Sequence, residues 1–178
     1  IKIILSHAHP DHMGAMEALL TEVDPELIAI HEVDLPYALE PERLNDSFDI
    51  TLCRKRLAEA EIKRDEGMKG SGFDLIGYFN LVNCSTCHVK ANLAVKEGDH
   101  IHMGYYDFEI FHTPGHAPGH ISLYDREKRI LLAGDILGEI VPWYTTSSGG
   151  VMDFLESLEK MEALDIDLLL PSHGDVIT

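Results

Sequence analysis

Short apolar segments bounded by polar or turn residues predict five buried β-strands. They span residues 1–5, 26–30, 108–111, 130–133 and 166–170 and are rich in Ile, Leu and Phe. Two hairpins are expected, one turning within residues 125–128 and one at Gly104. Apolar residues at helical spacing predict helices that start near Met13 and near Val151. The pattern therefore indicates an α/β (α+β) fold in which helices pack on sheets.

The middle of the chain differs in composition from the rest. Residues 41–97 hold nine basic and nine acidic residues, so this stretch is neutral and the remainder carries the whole formal charge of −17. A further helix is expected within residues 48–66, followed by a glycine-rich loop at 67–77. Connections inside a compact domain are usually short. We therefore expect one domain over residues 1–178, with a helical insertion at about 41–97.

Composition and charge narrow the classes of function. The 178 residues are 45% hydrophobic and 25% charged, which is typical of a globular domain and excludes a disordered chain. The excess of 31 acidic over 14 basic residues disfavours nucleic acid as a partner. No apolar run is long enough to span a bilayer, so no membrane association is expected. Three cysteines without a secretory segment favour reduced thiols and a cytoplasmic location.

Histidine and aspartate follow four of the predicted strands. The first strand leads to the segment HAHPDH, the third to HTPGHAPGH, the fourth to Asp135 and the fifth to His173. Functional groups in such sheets gather beyond the carboxyl ends of strands, where loops converge. These four strand ends are therefore expected to build a single site.

The HAHPDH segment has a geometry of its own. Residues two apart in an extended segment point the same way, so His7 and His9 can face one point. Asp11 and His12 open the following helix and can turn toward a second point nearby. One ion rarely takes four ligands from only six residues, which favours two neighbouring metal ions.

Four motifs together resemble those of the metallo-β-lactamase superfamily: HAHPDH, the TPGH of HTPGHAPGH, the GD at residues 134–135 and the PSHG near the end. The resemblance runs from Ile1 to about Asp175 in the expected order. It implies a four-layer αββα sandwich, here without its N-terminal strands, so that one sheet would be incomplete and a homo-oligomer is one way to cover its edge. It also implies a ligand set: His7, His9 and His116 for the first metal, Asp11, His12 and His173 for the second, and Asp135 as a bridge.

Five imidazoles and two carboxylates suit two zinc ions, with iron or manganese as alternatives. Two such ions share a water and lower its pKa, which gives a metal-bridging hydroxide as the nucleophile. We expect Asp11 to orient this hydroxide and take its proton, and His120 and Thr113 to support the ligands through hydrogen bonds or to contact the substrate. The sequence thus predicts a dinuclear metal-dependent hydrolase that acts on a small ester, thioester or related substrate.

Two other functions remain open at this point. One is a mononuclear iron oxidoreductase similar to persulfide dioxygenases, with iron held by His7, His116 and Asp135. The other is an RNA-processing nuclease of the same superfamily, with the insertion as an RNA-binding arm. The complete second ligand set disfavours the first, and the neutral charge of the insertion disfavours the second.

Overall fold

The computed structural model describes residues 1–40, 43, 88–139 and 146–178. The predicted helix within 48–66, the glycine-rich loop at 67–77 and most of the expected insertion lie outside these residues. In the described part of the chain, eight strands form two sheets and four helices accompany them.

The first sheet contains three parallel strands in the order β1-β2-β3. β1 covers Lys2–Ile4, β2 covers Leu27–His31 and β3 covers Leu93–Val95. β1 and β2 confirm two predicted strands. β3 was not predicted, because only one of its three residues is buried and so short a segment has no readable pattern. Since β3 pairs with β2, the last residues of the expected insertion belong to this sheet instead.

The second sheet contains five strands in the order β4-β5-β6-β7-β8. Its strands are β4 (His100–Met103), β5 (Tyr106–His112), β6 (Ile121–Asp125), β7 (Ile130–Gly134) and β8 (Leu168–Pro171). Neighbouring strands are antiparallel except β7 and β8, which run parallel. Both predicted hairpins are confirmed, and Gly104 makes the turn between β4 and β5 with a positive φ of 65°.

The helices are α1 (Pro10–Met13), α2 (Met16–Glu22), α3 (Leu35–Leu39) and α4 (Gly150–Glu162). The apolar stripe that predicted one helix near Met13 is shared by α1 and α2, which are separated by two residues. α3 was missed because five residues are too few to establish a helical period. α4 confirms the helix predicted near Val151.

Three apolar clusters define the layers of the fold. One lies between α1–α3 and the first sheet, one between the two sheets, and one between the second sheet and α4. β2 illustrates how alternation produces this arrangement, because Ile28 and Ile30 face the helices while Ala29 faces the other sheet. The described residues therefore form four layers in the order helix, sheet, sheet, helix.

No helix in the described ranges combines the length and hydrophobicity that crossing a membrane would require.

Ile110 tests the apolar layer between the two sheets. It is fully buried there, so Ile110→Ala should lower the free energy of unfolding by about 2–5 kcal/mol through lost burial and a residual cavity. Urea denaturation measures this change. The control Met152→Ala, at a side chain that is 65% exposed on α4, should stay within about 0.5 kcal/mol of wild type. Equal effects of the two variants would contradict the layer assignment.

Candidate metal centre

The four strand ends that carry histidine and aspartate meet at one place. The loop after β1 brings His7 and His9, the loop after β5 brings His116, and β7 leads directly to Asp135. His173 arrives from the loop that follows β8. The seven predicted ligand residues fall into two groups, each with one potential ligand atom per residue, and the atoms of a group lie within 4.8 Å of one another.

The first group, called here the buried triad, consists of His7, His9 and His116. All three side chains are buried, and Nε2 of His116 lies 3.1 Å from Nδ1 of His9. Two imidazole nitrogens this close cannot both carry a proton without a severe clash. At least one of these nitrogens therefore presents a lone pair, which is the form that a metal ion binds.

The second group, called here the open tetrad, consists of Asp11, His12, Asp135 and His173. Nε2 of His12 lies 3.3 Å from Oδ2 of Asp135, and Nε2 of His173 lies 3.5 Å from the same oxygen. Asp11 reaches His173 with a separation of 3.6 Å between Oδ2 and Nε2. The side chains of Asp11 and His173 are 36% and 43% exposed, so solvent reaches the centre from this side.

Asp135 connects the two groups. Its Oδ2 lies 3.3 Å from Nε2 of His116 in the buried triad and 3.3 Å from Nε2 of His12 in the open tetrad. The carboxylate therefore occupies the position between the groups that a bridging ligand would need.

Burial keeps the triad histidines neutral. It lowers the pKa of His7 and His9 well below the usual range, and the neighbouring imidazoles add to this effect. Burial also lowers the pKa of His116 to about 4, although Asp135 opposes the shift. These three side chains are thus uncharged at neutral pH, as metal ligation requires.

His12 and Asp135 form an ion pair at the junction of the groups. Burial alone would lower the pKa of His12, but the hydrogen bond and charge of Asp135 outweigh it and raise the pKa. Burial would likewise raise the pKa of Asp135, yet the three surrounding histidines, His12 first, hold it below its usual range. Asp135 is therefore an anion at neutral pH and available to a cation.

A profile of the metallo-beta-lactamase superfamily matches residues 1–173 of the chain. The chain belongs to this superfamily. The predicted family and fold are thus confirmed, and the two sheets with their outer helices are its sandwich. The crystal structure of a superfamily protein, TTHA1429 from Thermus thermophilus, superposes with a TM-score of 0.70 at 23% identity and covers 99% of this chain and 55% of that one.

Two relatives whose names state an enzymatic activity align with this chain. Acyl-coenzyme A thioesterase MBLAC2 from Gallus gallus is 26% identical over 178 residues, which cover 96% of this chain and 55% of the relative. Hydroxyacylglutathione hydrolase GloC from Haemophilus influenzae is 30% identical over 86 residues, 47% of this chain and 41% of the relative. The chain therefore spans about half the length of the thioesterase. The predicted hydrolase agrees with the class of both relatives.

A chain of buried hydrogen bonds ends at the backbone N–H of Asp135. The Ser122 hydroxyl donates to the carbonyl of Ala133 at 3.1 Å, so its oxygen is free to accept from Thr113 Oγ1, also at 3.1 Å. Thr113 then accepts from Nδ1 of His120 at 2.8 Å. The remaining ring nitrogen, Nε2, accepts the backbone N–H of Asp135 at 2.8 Å.

This chain of donors assigns one neutral tautomer to His120, with the proton on Nδ1. Burial lowers the pKa of His120 to about 3, which agrees with a neutral ring. The contact also requires glycine at residue 134, because a Cβ on Gly134 would lie 2.4 Å from Nε2 of His120. The structure thus places the two predicted supporting residues, His120 and Thr113, behind the backbone of Asp135 rather than on a ligand side chain.

The remaining histidines in the described ranges lie outside the two groups. The rings of His31 and His112 stack with a centroid distance of 4.0 Å, and Nε2 of His112 donates to the carbonyl of Pro118 at 2.9 Å. His100 and His102 on β4 pair with Asp107 at the surface.

Sequence reasoning missed three side chains that hold the ligand loops. Asp34 accepts backbone N–H groups from both loops, and Ser148 and Ser157 donate to carbonyls of residues 115 and 114. An aspartate before a short helix, a serine just before a helix and a serine within one are all common, so nothing in the sequence distinguished these residues.

Thr113→Val tests the chain behind Asp135. The variant keeps the shape of the side chain but removes the acceptor of His120 Nδ1, which leaves a buried N–H unpaired and should cost about 1–3 kcal/mol of unfolding free energy. Chemical denaturation measures this cost. At Thr21, whose hydroxyl bonds the carbonyl of Ala18 on the surface, the same change should cost less than about 0.5 kcal/mol. A Thr113→Val protein as stable as Thr21→Val would refute the hydrogen-bond chain.

The metal-free protein should lose stability as the pH falls from 7 to 5. Burial lowers the pKa of His31 to about 4 and that of His120 to about 3, so unfolding takes up protons at pH 5, at a cost on the order of 2 kcal/mol of stability for each histidine. Burial raises the pKa of Asp34 to about 6, which opposes the loss by a smaller amount.

Urea denaturation at pH 7, 6 and 5 in the presence of a chelator measures this loss. Thr21→Val, a surface change that alters no titratable group, should show the same slope with pH as wild type. A stability that stays flat or rises on acidification would contradict the assignment of buried neutral histidines.

Proposed function

We propose that this chain carries the centre of a dinuclear metal-dependent hydrolase that cleaves a small acyl thioester or ester. The observation that supports it most directly is the position of Asp135, whose Oδ2 lies 3.3 Å from a histidine of the buried triad and 3.3 Å from one of the open tetrad. A carboxylate in this place can serve two cations at once. The buried triad would hold one of them and the open tetrad the other.

The residues fit such ions. Nε2 of His7 is buried and has no hydrogen-bond partner among the described residues. Buried polar atoms normally have a partner, and a bound cation would supply one for this nitrogen. Its Nδ1 lies 3.1 Å from the hydroxyl of Ser6, which orients the ring for ligation through Nε2. Nitrogen and carboxylate donors in this ratio favour zinc, with iron or manganese as alternatives.

When bound, the two cations supply an acidified water molecule and a Lewis acid for the acyl carbonyl. Asp11 is the group that would accept the proton of this water, because it is a partly exposed carboxylate 3.6 Å from His173 at the edge of the centre. Asp135 would hold the two groups at a constant spacing.

Exposure determines from which side the substrate arrives. The triad side chains His7, His9 and His116 are at most 5% exposed, so nothing larger than water reaches the centre past them. Asp11 and His173 are partly exposed, which leaves the open tetrad as the entry side. The acyl carbonyl would thus meet the centre beside Asp11.

The proposed substrate class rests on relatives rather than on a pocket. One relative is named as an acyl-coenzyme A thioesterase and another as a hydroxyacylglutathione hydrolase, and both names denote hydrolysis of an acyl compound. A small-molecule acyl substrate in the cytoplasm also agrees with the strongly acidic chain, which disfavours nucleic acid.

Asp135→Asn tests the dinuclear centre. The wild type should contain about two zinc ions per chain and hydrolyse acyl thioesters in a substrate panel, whereas the variant should lose at least one ion and about 10³-fold or more in kcat/KM. Elemental analysis of the purified protein and a thiol-release assay measure the two quantities. Asp107→Asn, a variant on the surface of β5, should match the wild type in both.

Other outcomes would favour the other functions. One iron per chain together with thiol-dependent oxygen uptake would replace the hydrolase by a mononuclear iron oxidoreductase. RNA affinity that falls steeply with salt would instead favour a nuclease.

A further inference from the structure

Asp34 joins the two loops that carry the buried triad. Its side chain is 1% exposed. One carboxylate oxygen, Oδ2, accepts the backbone N–H of Ala8 at 2.8 Å, and the other, Oδ1, accepts the backbone N–H of Gly119 at 2.6 Å. Both oxygens of a single carboxylate are thus used on two segments that are far apart in the chain.

The two amides belong to the loops of the predicted ligands. Ala8 lies between His7 and His9, so its N–H is part of the backbone that orients both rings. Gly119 follows His116 in the loop of residues 113–120 between β5 and β6, and the next residue, His120, accepts the N–H of Asp135. The hydrogen bonds of Asp34 therefore act on both loops that carry the triad residues.

An ordinary role as a helix cap does not account for this aspartate. Asp34 occupies the N-cap position of α3, where an aspartate normally accepts an N–H from the first turn of its own helix. Here the side chain makes no such capping bond. The carboxylate turns away from α3 and reaches the ligand loops instead.

Net stabilisation of the fold does not account for it either. Burial raises the pKa of Asp34 to about 6, although both backbone N–H donors oppose the shift. A carboxyl group whose pKa is higher in the folded than in the unfolded state makes folding less favourable as the pH rises through that range. At neutral pH the charged carboxylate therefore gains no stability from its burial, and its two hydrogen bonds to the ligand loops are the contacts that account for its position.

The loop of residues 113–120 leaves room for this carboxylate. A Cβ on Gly119 would lie 2.6 Å from Cγ of Asp34, so only glycine allows the backbone to come this close. The φ of Gly119 is not in the left-handed region, which leaves the close approach as the physical reason for glycine.

We propose that Asp34 is a positioning residue for the first metal: its buried carboxylate clamps the loop of His7 and His9 to the loop of His116 and so sets the geometry of the buried triad. This inference rests on the proposed function, because it assumes that the triad holds a cation. Asp34 itself ligates nothing in this assignment.

Asp34→Asn is the decisive variant, and Asp125→Asn is its matched control. Asparagine keeps the shape of the side chain but replaces one acceptor by an NH₂ donor, which breaks one of the two bonds. Asp125 is also a buried carboxylate that accepts two backbone N–H groups, from Asp107 at 3.1 Å and Lys128 at 2.9 Å. It lies at the end of β6 that is remote from the ligand loops. An effect that follows from replacing any buried carboxylate should therefore appear in both variants, whereas an effect on the ligand loops should appear only in Asp34→Asn.

Stepwise zinc affinity, measured by competition with a chromophoric chelator, is the first readout. The steps are assigned with His116→Ala and His173→Ala. Asp34→Asn should weaken the step that His116→Ala removes by about 10- to 100-fold and change the other step less than about threefold. Asp125→Asn should leave both steps unchanged.

Amide hydrogen exchange in the metal-free protein is the second readout. The amides of Ala8 and Gly119 should exchange about tenfold or more faster in Asp34→Asn than in wild type, while Asp125→Asn should leave both protected. Gly119→Ala, which keeps the carboxylate but obstructs its approach, should weaken the same zinc step and serves if Asp34→Asn does not fold.

The outcomes separate the two hypotheses. Wild-type protein that binds none of zinc, iron and manganese would overturn the proposed function and this inference with it. Two normal zinc steps in Asp34→Asn, equal weakening of both steps, or unchanged exchange at Ala8 and Gly119 would overturn the positioning role alone.

Discussion

The centre depends on one buried carboxylate surrounded by imidazoles. Asp135 is 3% exposed, and a charge removed so far from water is costly unless partners compensate for it. His12 on α1, and His116 and His173 on two separate loops, supply this compensation. Because the three rings converge on a single side chain, the loops have to arrive together, and the ends of β1, β5, β7 and β8 bring them.

Charge and burial divide the centre into unlike halves. The buried triad is neutral and closed, because burial lowers the pKa of its histidines. The open tetrad is charged and faces solvent through Asp11 and His173. A centre of this kind can hold a cation on its closed side and leave reactive groups accessible on its open side. A metal-dependent hydrolase needs both properties.

Backbone amides, rather than ligand rings, receive most of the support in the described structure. His120 accepts the N–H of Asp135, and Asp34 accepts those of Ala8 and Gly119. Holding the backbone positions several ligands at once, whereas a bond to one ring orients only that ring. Glycine at residues 119 and 134 makes these approaches sterically feasible, since a Cβ at either site would collide with the supporting side chain.

The sequence alone determined the family, the seven residues of the two groups and most of the strands, because motif order, period-two spacing and buried apolar runs can be read directly along the chain. The tertiary structure alone decided the contacts of Asp34 and the existence of β3. Asp34 acts across 26 and 85 residues of chain, and β3 becomes a strand only by pairing with β2. Such features leave no pattern in the neighbouring sequence, because their hydrogen-bond partners are distant along the chain and come close only in the folded protein.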